Sequence, residues 1–353
     1  DLGGSSLGVM RLADLISRRT GTDISIATVF LHPTPRQLAA TIDGIRSGTM
    51  ASGASGPLVG LNGDGDLPLF LIHPVGGTVF GYAQLARDLA GTFTVYGLEA
   101  PGLTQPGATP ASLTDLVDDY TTRIRAAQPD GPYRLGGWSM GGVIAFEITR
   151  RLEQAGADVA LLVLLDAPFT IPSASIPAQP QLAAMFLSDA ARSLGWDPAD
   201  LPDTDTPAAD QLTWLAARLG DGDSTTSVIT RLRDRFAIFA AHNLMLTGYQ
   251  PALPAVQAPT LIISADRSPN APARTHWPRV LSGGVRIHSA DSDHYAFLLP
   301  PLVADTSTAI LKWHATTGQP TCLSTMPGRE TLADSEALVT MPHDRTPAEE
   351  LRA

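Results

Sequence analysis

The sequence predicts an α/β fold built on a mostly parallel sheet with helices on both faces. Between Pro57 and about residue 315, short strand-like runs alternate with helix-like stretches, the order that packs helices over a parallel sheet. The alternation breaks once, at 168–250, where Pro-rich loops and mainly helical segments make an insertion of the size that lids and binding elements have. A glycine-flanked serine, Ser139, stands where a strand pattern gives way to a helix pattern.

Residues 7–19 place Leu7, Met10, Ala13 and Leu15 or Ile16 on one stripe with Arg11, Arg18 and Arg19 off it, which predicts one amphipathic helix. A short apolar piece follows at 26–30. Thr34 can then cap a helix whose first turn holds Pro35 and whose body carries Leu38, Ala39 and Ile42. Residues 1–46 therefore read as a partial all-α unit, too small to bury a stable core alone. The Gly/Ser/Ala-rich stretch 47–56 reads as a flexible linker. From residue 57, strands are expected at 59–61, 67–72, 93–98, 133–138, 159–165, 260–264 and 285–288, and helices at 79–90, 113–127, 141–155 and 302–313. Asn62-Gly63-Asp64-Gly65 between the first two strands signals a hairpin. Within the insertion, 182–194, 211–219 and 228–249 are helical in pattern, while the tail 316–353 lacks periodicity and is expected to be disordered.

Composition narrows the function. Basic residues number 24 against 35 acidic, a net charge of −11, which argues against a nucleic-acid or anionic-membrane surface. The longest aliphatic run near the middle, 159–165, is far below the ~18 residues of a membrane span. One cysteine, Cys322, leaves no disulfide framework and no cysteine zinc site, so a reducing cytoplasm is the expected compartment and another residue must be the nucleophile. Lys312 is the sole lysine, which excludes a Gly-Lys-Ser/Thr phosphate loop. The first residue is Asp and no signal-peptide pattern follows it, so the chain is expected to begin inside a longer protein.

The chemistry centres on Gly137-Trp138-Ser139-Met140-Gly141, followed by Gly142. In a strand-turn-helix context this is a nucleophile elbow, whose glycines remove the clashes of a sharp turn and leave the serine at the carboxyl end of the sheet. Its base and acid should follow in the chain. Among the later histidines, His242 falls in the insertion, His276 in a Pro-flanked loop, His288 in a strand, and His314 and His343 at or past the end of the fold. His294 alone lies in the loop between the last strand and the last helix, at the sheet edge that carries Ser139. Asp166 and Asp266 each end a strand at that edge, and spacing does not separate them. Asp291 and Asp293 are too near His294 in sequence to orient it and are expected to be solvated. Oxyanion donors are expected at Met140 N–H and, from the loop His73-Pro74-Val75-Gly76-Gly77, at Val75 N–H. This chemistry requires no metal or redox cofactor.

Together HPVGG, GWSMGG, Asp166-Ala-Pro 27 positions after Ser139, the helical insertion and DHYAFLLPP resemble the thioesterase domain that ends non-ribosomal peptide and polyketide synthetases, over roughly residues 57–315. The resemblance implies an α/β-hydrolase fold with a helical lid at about 168–250, and it favours Asp166, since that family's acid follows the strand after the elbow helix. Upstream, Asp1-Leu2-Gly3-Gly4-Ser5-Ser6-Leu7 resembles the Gly-Gly-x-Ser-Leu end of a peptidyl carrier motif, which implies Ser6 as the attachment point of 4′-phosphopantetheine. A serine at a helix start suits a phosphodiester. The helix that precedes this serine in carriers is missing, so the half-domain is not expected to be modified as it stands. The implied activity is chain release: transfer of a carrier-bound acyl or peptidyl thioester to Ser139, then hydrolysis or cyclisation. The implied partners are upstream synthetase modules and a phosphopantetheinyl transferase. A free-standing esterase or lipase on small esters would share the triad but not the carrier motif, and a non-catalytic binding module would show a damaged triad.

Overall fold

The computed structural model describes residues 6–49 and 58–317, apart from 23, 25–27, 30–31, 33, 64, 106, 109, 172–176, 195 and 220–224. Most of the expected linker and the tail beyond 317 lie outside the described residues. At the N-terminal end, α1 (Ser6–Thr20) and α2 (Pro35–Arg46) close a small cluster around Ala13, Ile24, Val29 and Leu38. The cap of α2 forms as its sequence predicts. Thr34 Oγ1 accepts the Gln37 N–H at 3.3 Å, Gln37 Oε1 accepts the Thr34 N–H at 3.2 Å, and Pro35 occupies the first turn.

Among the described residues, seven strands make one sheet: β1 (Leu58–Gly60), β2 (Leu67–Ile72), β3 (Phe93–Leu98), β4 (Tyr133–Trp138), β5 (Val159–Leu165), β6 (Thr260–Ala265) and β7 (Val285–Ala290), in the order β1-β3-β2-β4-β5-β6-β7. All pairings are parallel except that of β1 with β3. The expected hairpin between β1 and β2 is not formed. β3 lies between them, pairing Leu58 with Leu98, and Asn62 carries the chain past it by accepting the Val95 N–H at 2.8 Å and donating to the Ala86 carbonyl at 2.5 Å.

The helices are α3 (Ala83–Asp88), α4 (Pro101–Thr104), α5 (Leu113–Ala127), α6 (Met140–Gln154), the insertion's α7 (Gln179–Leu194), α8 (Ala208–Leu219) and α9 (Thr225–Leu246), and α10 (Val303–Thr317). Alternate strand residues feed two cores. Phe70, Ile72, Leu135, Leu162 and Leu164 join α5 and α6 on one face, while Leu69, Leu71, Leu161, Val163 and Leu165 join α3 and α10 on the other. Burial on both faces explains why β5 is apolar throughout. The insertion has its own cluster, with Leu187, Leu215, Leu232 and Phe239 at its centre, and α7 lies against α1. No described helix is long and apolar enough to cross a membrane.

Because the chain runs from β2 outward to β3 and then returns to β4 on the other side, β2 and β4 are the adjacent strands where strand order reverses. Loops leaving such neighbours diverge and open a crevice at their carboxyl ends. Here those loops are His73–Gly77 and the turn at Ser139, with Ile72 paired to Gly137 beneath them.

Candidate active site

Ser139 has φ +57° and ψ −125°, a conformation costly for any residue with a Cβ. Its N–H donates to the Leu165 carbonyl at 2.9 Å, and its carbonyl accepts the Gly142 N–H at 3.0 Å. A Cβ on Gly137 would overlap the backbone of Gly141, and one on Gly141 would overlap the Ile72 carbonyl. The two glycines thus let α6 start directly on the strand ends and force the turn that presents Ser139. Tyr82, which sequence reasoning did not single out, ties the same strand ends together: its hydroxyl donates to Ile72 O at 2.7 Å and accepts the Trp138 N–H at 2.7 Å.

Asp166 follows β5 with φ +45° and is buried. Its Oδ1 accepts the Ala265 N–H at 3.1 Å, its carbonyl accepts from Asn270 Nδ2 at 2.9 Å, and its Oδ2 lies 2.6 Å from His294 Nδ1. The pairing that spacing left open is therefore with Asp166. Asp266 instead pairs with Arg274, its side chain 40% exposed. Trp138, next to Ser139, donates from its indole to the His294 carbonyl at 2.9 Å and packs its ring 5.1 Å from the imidazole. His288 is paired with Asp305, His276 stacks on Phe169 and His314 lies on Phe93.

Asp293, expected to be solvated, is part-exposed and also takes backbone hydrogen bonds. Its Oδ1 accepts the N–H groups of Tyr295 at 2.8 Å and Ala296 at 3.0 Å, so it shapes the His294 loop, and the Tyr295 bond foremost holds its carboxyl below the usual range. Asp291 is exposed as expected, pairing with Arg267. From the insertion, Asp189 of α7 is hydrogen-bonded by the Tyr295 hydroxyl, and burial pushes its carboxyl up. Arg192 lies over the Tyr295 ring at 5.0 Å. Sequence periodicity gave no sign of either contact, since both depend on how α7 folds back over the sheet.

After β2, Pro74 and Gly77 close a turn, the Gly77 N–H donating to Pro74 O at 2.9 Å with Gly77 at φ +83°. Val75 and Gly76 are its central residues. Val75 packs against both the sheet core and the insertion cluster. His73 Nδ1 lies 2.7 Å from Pro74 O and His242 Nδ1 lies 2.8 Å from Val75 O. Met140 is the first residue of α6, so its N–H is among those that a helix start leaves without an intrahelical partner. Among the described residues α1 runs from Ser6 over 15 residues with no acidic residue in its first turn.

The Thioesterase domain family model matches residues 67–311, and the Phosphopantetheine attachment site model matches residues 1–42. The chain is 39% identical over 168 residues to a dimodular nonribosomal peptide synthase of Bacillus subtilis, covering 47% of this chain and 7% of that protein. It is 32% identical over 334 residues to the probable non-canonical nonribosomal peptide synthetase CymA of Salinispora arenicola, covering 90% of this chain and 4% of that one. The chain thus spans a small fraction of the relatives it matches. Among solved structures it is similar to the holo form of AB3403, a four-domain nonribosomal peptide synthetase (TM-score 0.60, 23% identity, 86% of this chain and 23% of that one). It is also similar to the Vlm2 thioesterase domain bound with a dodecadepsipeptide (TM-score 0.53, 25% identity, 73% of this chain and 98% of that one). With the thioesterase model matched over more than half its length and the attachment-site model upstream, the chain belongs to the thioesterase domain family, on an α/β-hydrolase fold.

Proposed function

We propose that this chain is the releasing end of a modular peptide synthetase in the cytoplasm: a partial carrier at 1–46, a linker at 47–56, a thioesterase domain at 57–315 with its lid at about 168–250, and a tail. Ser139 is the nucleophile, His294 the base, Asp166 the residue that orients it, and the N–H groups of Val75 and Met140 hold the oxyanion. The observation that carries this reading is the 2.6 Å bond between His294 Nδ1 and Asp166 Oδ2, made at the sheet edge where Trp138 packs the imidazole beside the strained Ser139 turn.

His294 Nε2 takes the proton of Ser139 Oγ as that oxygen attacks the acyl carbonyl, and returns it to sulfur as the C–S bond breaks. The serine ester that remains is opened by water or by a nucleophile of the acyl chain itself. When attached at Ser6 by a phosphopantetheinyl transferase, 4′-phosphopantetheine supplies the thioester. The packing of α1 against α7 supports delivery from the lid side.

Incubation with an activated acyl thioester followed by digestion should find the acyl group on the peptide containing Ser139, and Ser139→Ala should abolish turnover with an unchanged melting temperature. Acylation elsewhere, or an active variant, would end the reading. Given coenzyme A and the transferase, a version extended upstream should gain one phosphopantetheine at Ser6 by intact mass; an unmodified extended chain would remove the carrier assignment.

A further inference from the structure

The turn that carries Val75 N–H is held by two histidines from different parts of the fold. His73, at the end of β2, and His242, on the insertion helix α9, are buried and stack with ring centroids 4.9 Å apart and planes 17° from parallel. Each points its Nδ1 at a carbonyl of the turn, His73 at Pro74 O and His242 at Val75 O. A carbonyl only accepts, so both Nδ1 atoms carry the hydrogen.

A neutral His73 has no hydrogen on Nε2, so that atom accepts from the Tyr120 hydroxyl at 2.6 Å. Neutrality is what burial enforces: burial foremost, then the neighbouring His242, pushes His73 down to about 3, and burial lowers His242 as well. Among the described residues His242 Nε2 has no hydrogen-bond partner, so there the ring's hydrogen bonding rests on Val75 O.

A peptide group is planar, with C=O and N–H on opposite sides. The Pro74 carbonyl shares its plane with Val75 N–H, and it accepts both from His73 and from the Gly77 N–H. Two donors on one carbonyl fix the plane and polarise the N–H opposite. The Val75 carbonyl shares the next plane with Gly76 N–H, and His242 fixes that one. We infer that His73 and His242 are positioning residues of the oxyanion turn, His73 aiming the Val75 N–H from the sheet and His242 locking the following peptide from the lid, so that the turn carrying the donor keeps its full alignment while α9 is seated. This inference rests on the proposed role of Val75 and predicts that the insertion controls catalysis through a hydrogen bond as well as by covering the site.

The test compares His242→Leu with His242→Asn, whose amide nitrogen takes the place of Nδ1, and repeats the pair at His73. Tyr120 tolerates the change at His73 because Glu99 O lies 3.0 Å from its hydroxyl. Losing an oxyanion donor costs about 10²–10³ in kcat, so a misaimed one should cost roughly 10- to 100-fold. The Leu variants should lose that much kcat on a soluble acyl thioester, with KM within about threefold, and should bind an acyl trifluoromethyl ketone weaker by the same factor, because its serine adduct bears an oxyanion. Binding of an unreactive amide analogue should be unchanged, and the Asn variants should recover most of the loss. Equal weakening toward ketone and amide, unchanged ketone binding, or Asn variants as poor as Leu at the same melting temperature would overturn the inference. A chain with Ser139→Ala that still forms the ketone adduct would instead overturn the catalytic reading beneath it.

Discussion

Asp166→Asn changes one atom, and the structure dictates where the new group must go. Oδ1 of Asp166 accepts the Ala265 N–H at 3.1 Å, and a backbone N–H can only donate, so the amide oxygen of Asn has to occupy that position. Its NH₂ then stands where Oδ2 was, 2.6 Å from His294 Nδ1, and donates to it. His294 is thereby forced into the tautomer with its proton on Nε2, the atom that must receive the proton of Ser139. Shape is kept while the base is lost. In a serine protease the same exchange lowers kcat by about four orders of magnitude, or about 5 kcal/mol of barrier. Asp166→Asn should therefore lose three to four decades of kcat on a soluble acyl thioester, with KM within about threefold, because the contact matters most to the imidazolium of the transition state. Asp266→Asn is the internal control. Its partner Arg274 lies at the surface, where ion pairs contribute ~0–1 kcal/mol, so it should lose less than one decade. A loss below tenfold for Asp166→Asn in a folded variant, or a larger loss for Asp266→Asn, would refute the assignment.

Glu99 is 6% exposed with Oε1 unpartnered among the described residues, and burial foremost, against the pull of Arg235, pushes its carboxyl up from 4.5 to about 7. A raised acid stabilises the fold below its unfolded value and loses that contribution as pH rises to its folded one. Relative to Glu99→Gln, wild type should therefore lose about 3 kcal/mol between pH 4.5 and 7, read by urea unfolding at stepped pH; parallel curves would contradict the burial argument. Gly141→Ala should lower stability by about 1–3 kcal/mol and cut kcat sharply, because its Cβ overlaps the Ile72 carbonyl and must push α6 off the strand ends. A variant with wild-type melting and turnover would show that the helix start has room to spare.

What the sequence determined by itself is local. Strand runs such as 67–72 and 133–138, the Thr34-Pro35 helix start and the glycines around Ser139 depend on neighbours within a few residues, so alternation, capping and turn chemistry expose them. His294 was legible because one loop position, between the last strand and the last helix, lies at the right edge of any such sheet. Only the tertiary structure decided the rest. Asp166 and Asp266 end adjacent strands and look alike in sequence; what separates them is that the Ala265 and Asn270 groups bury Asp166 against His294 while Arg274 draws Asp266 outward. Asn62-Gly63 has hairpin composition, yet β3 takes the place between β1 and β2, because strand order is a property of the whole sheet and not of the turn. The stacking of His73 on His242 joins residues 169 positions apart, through a helix whose seat on the core no periodicity encodes.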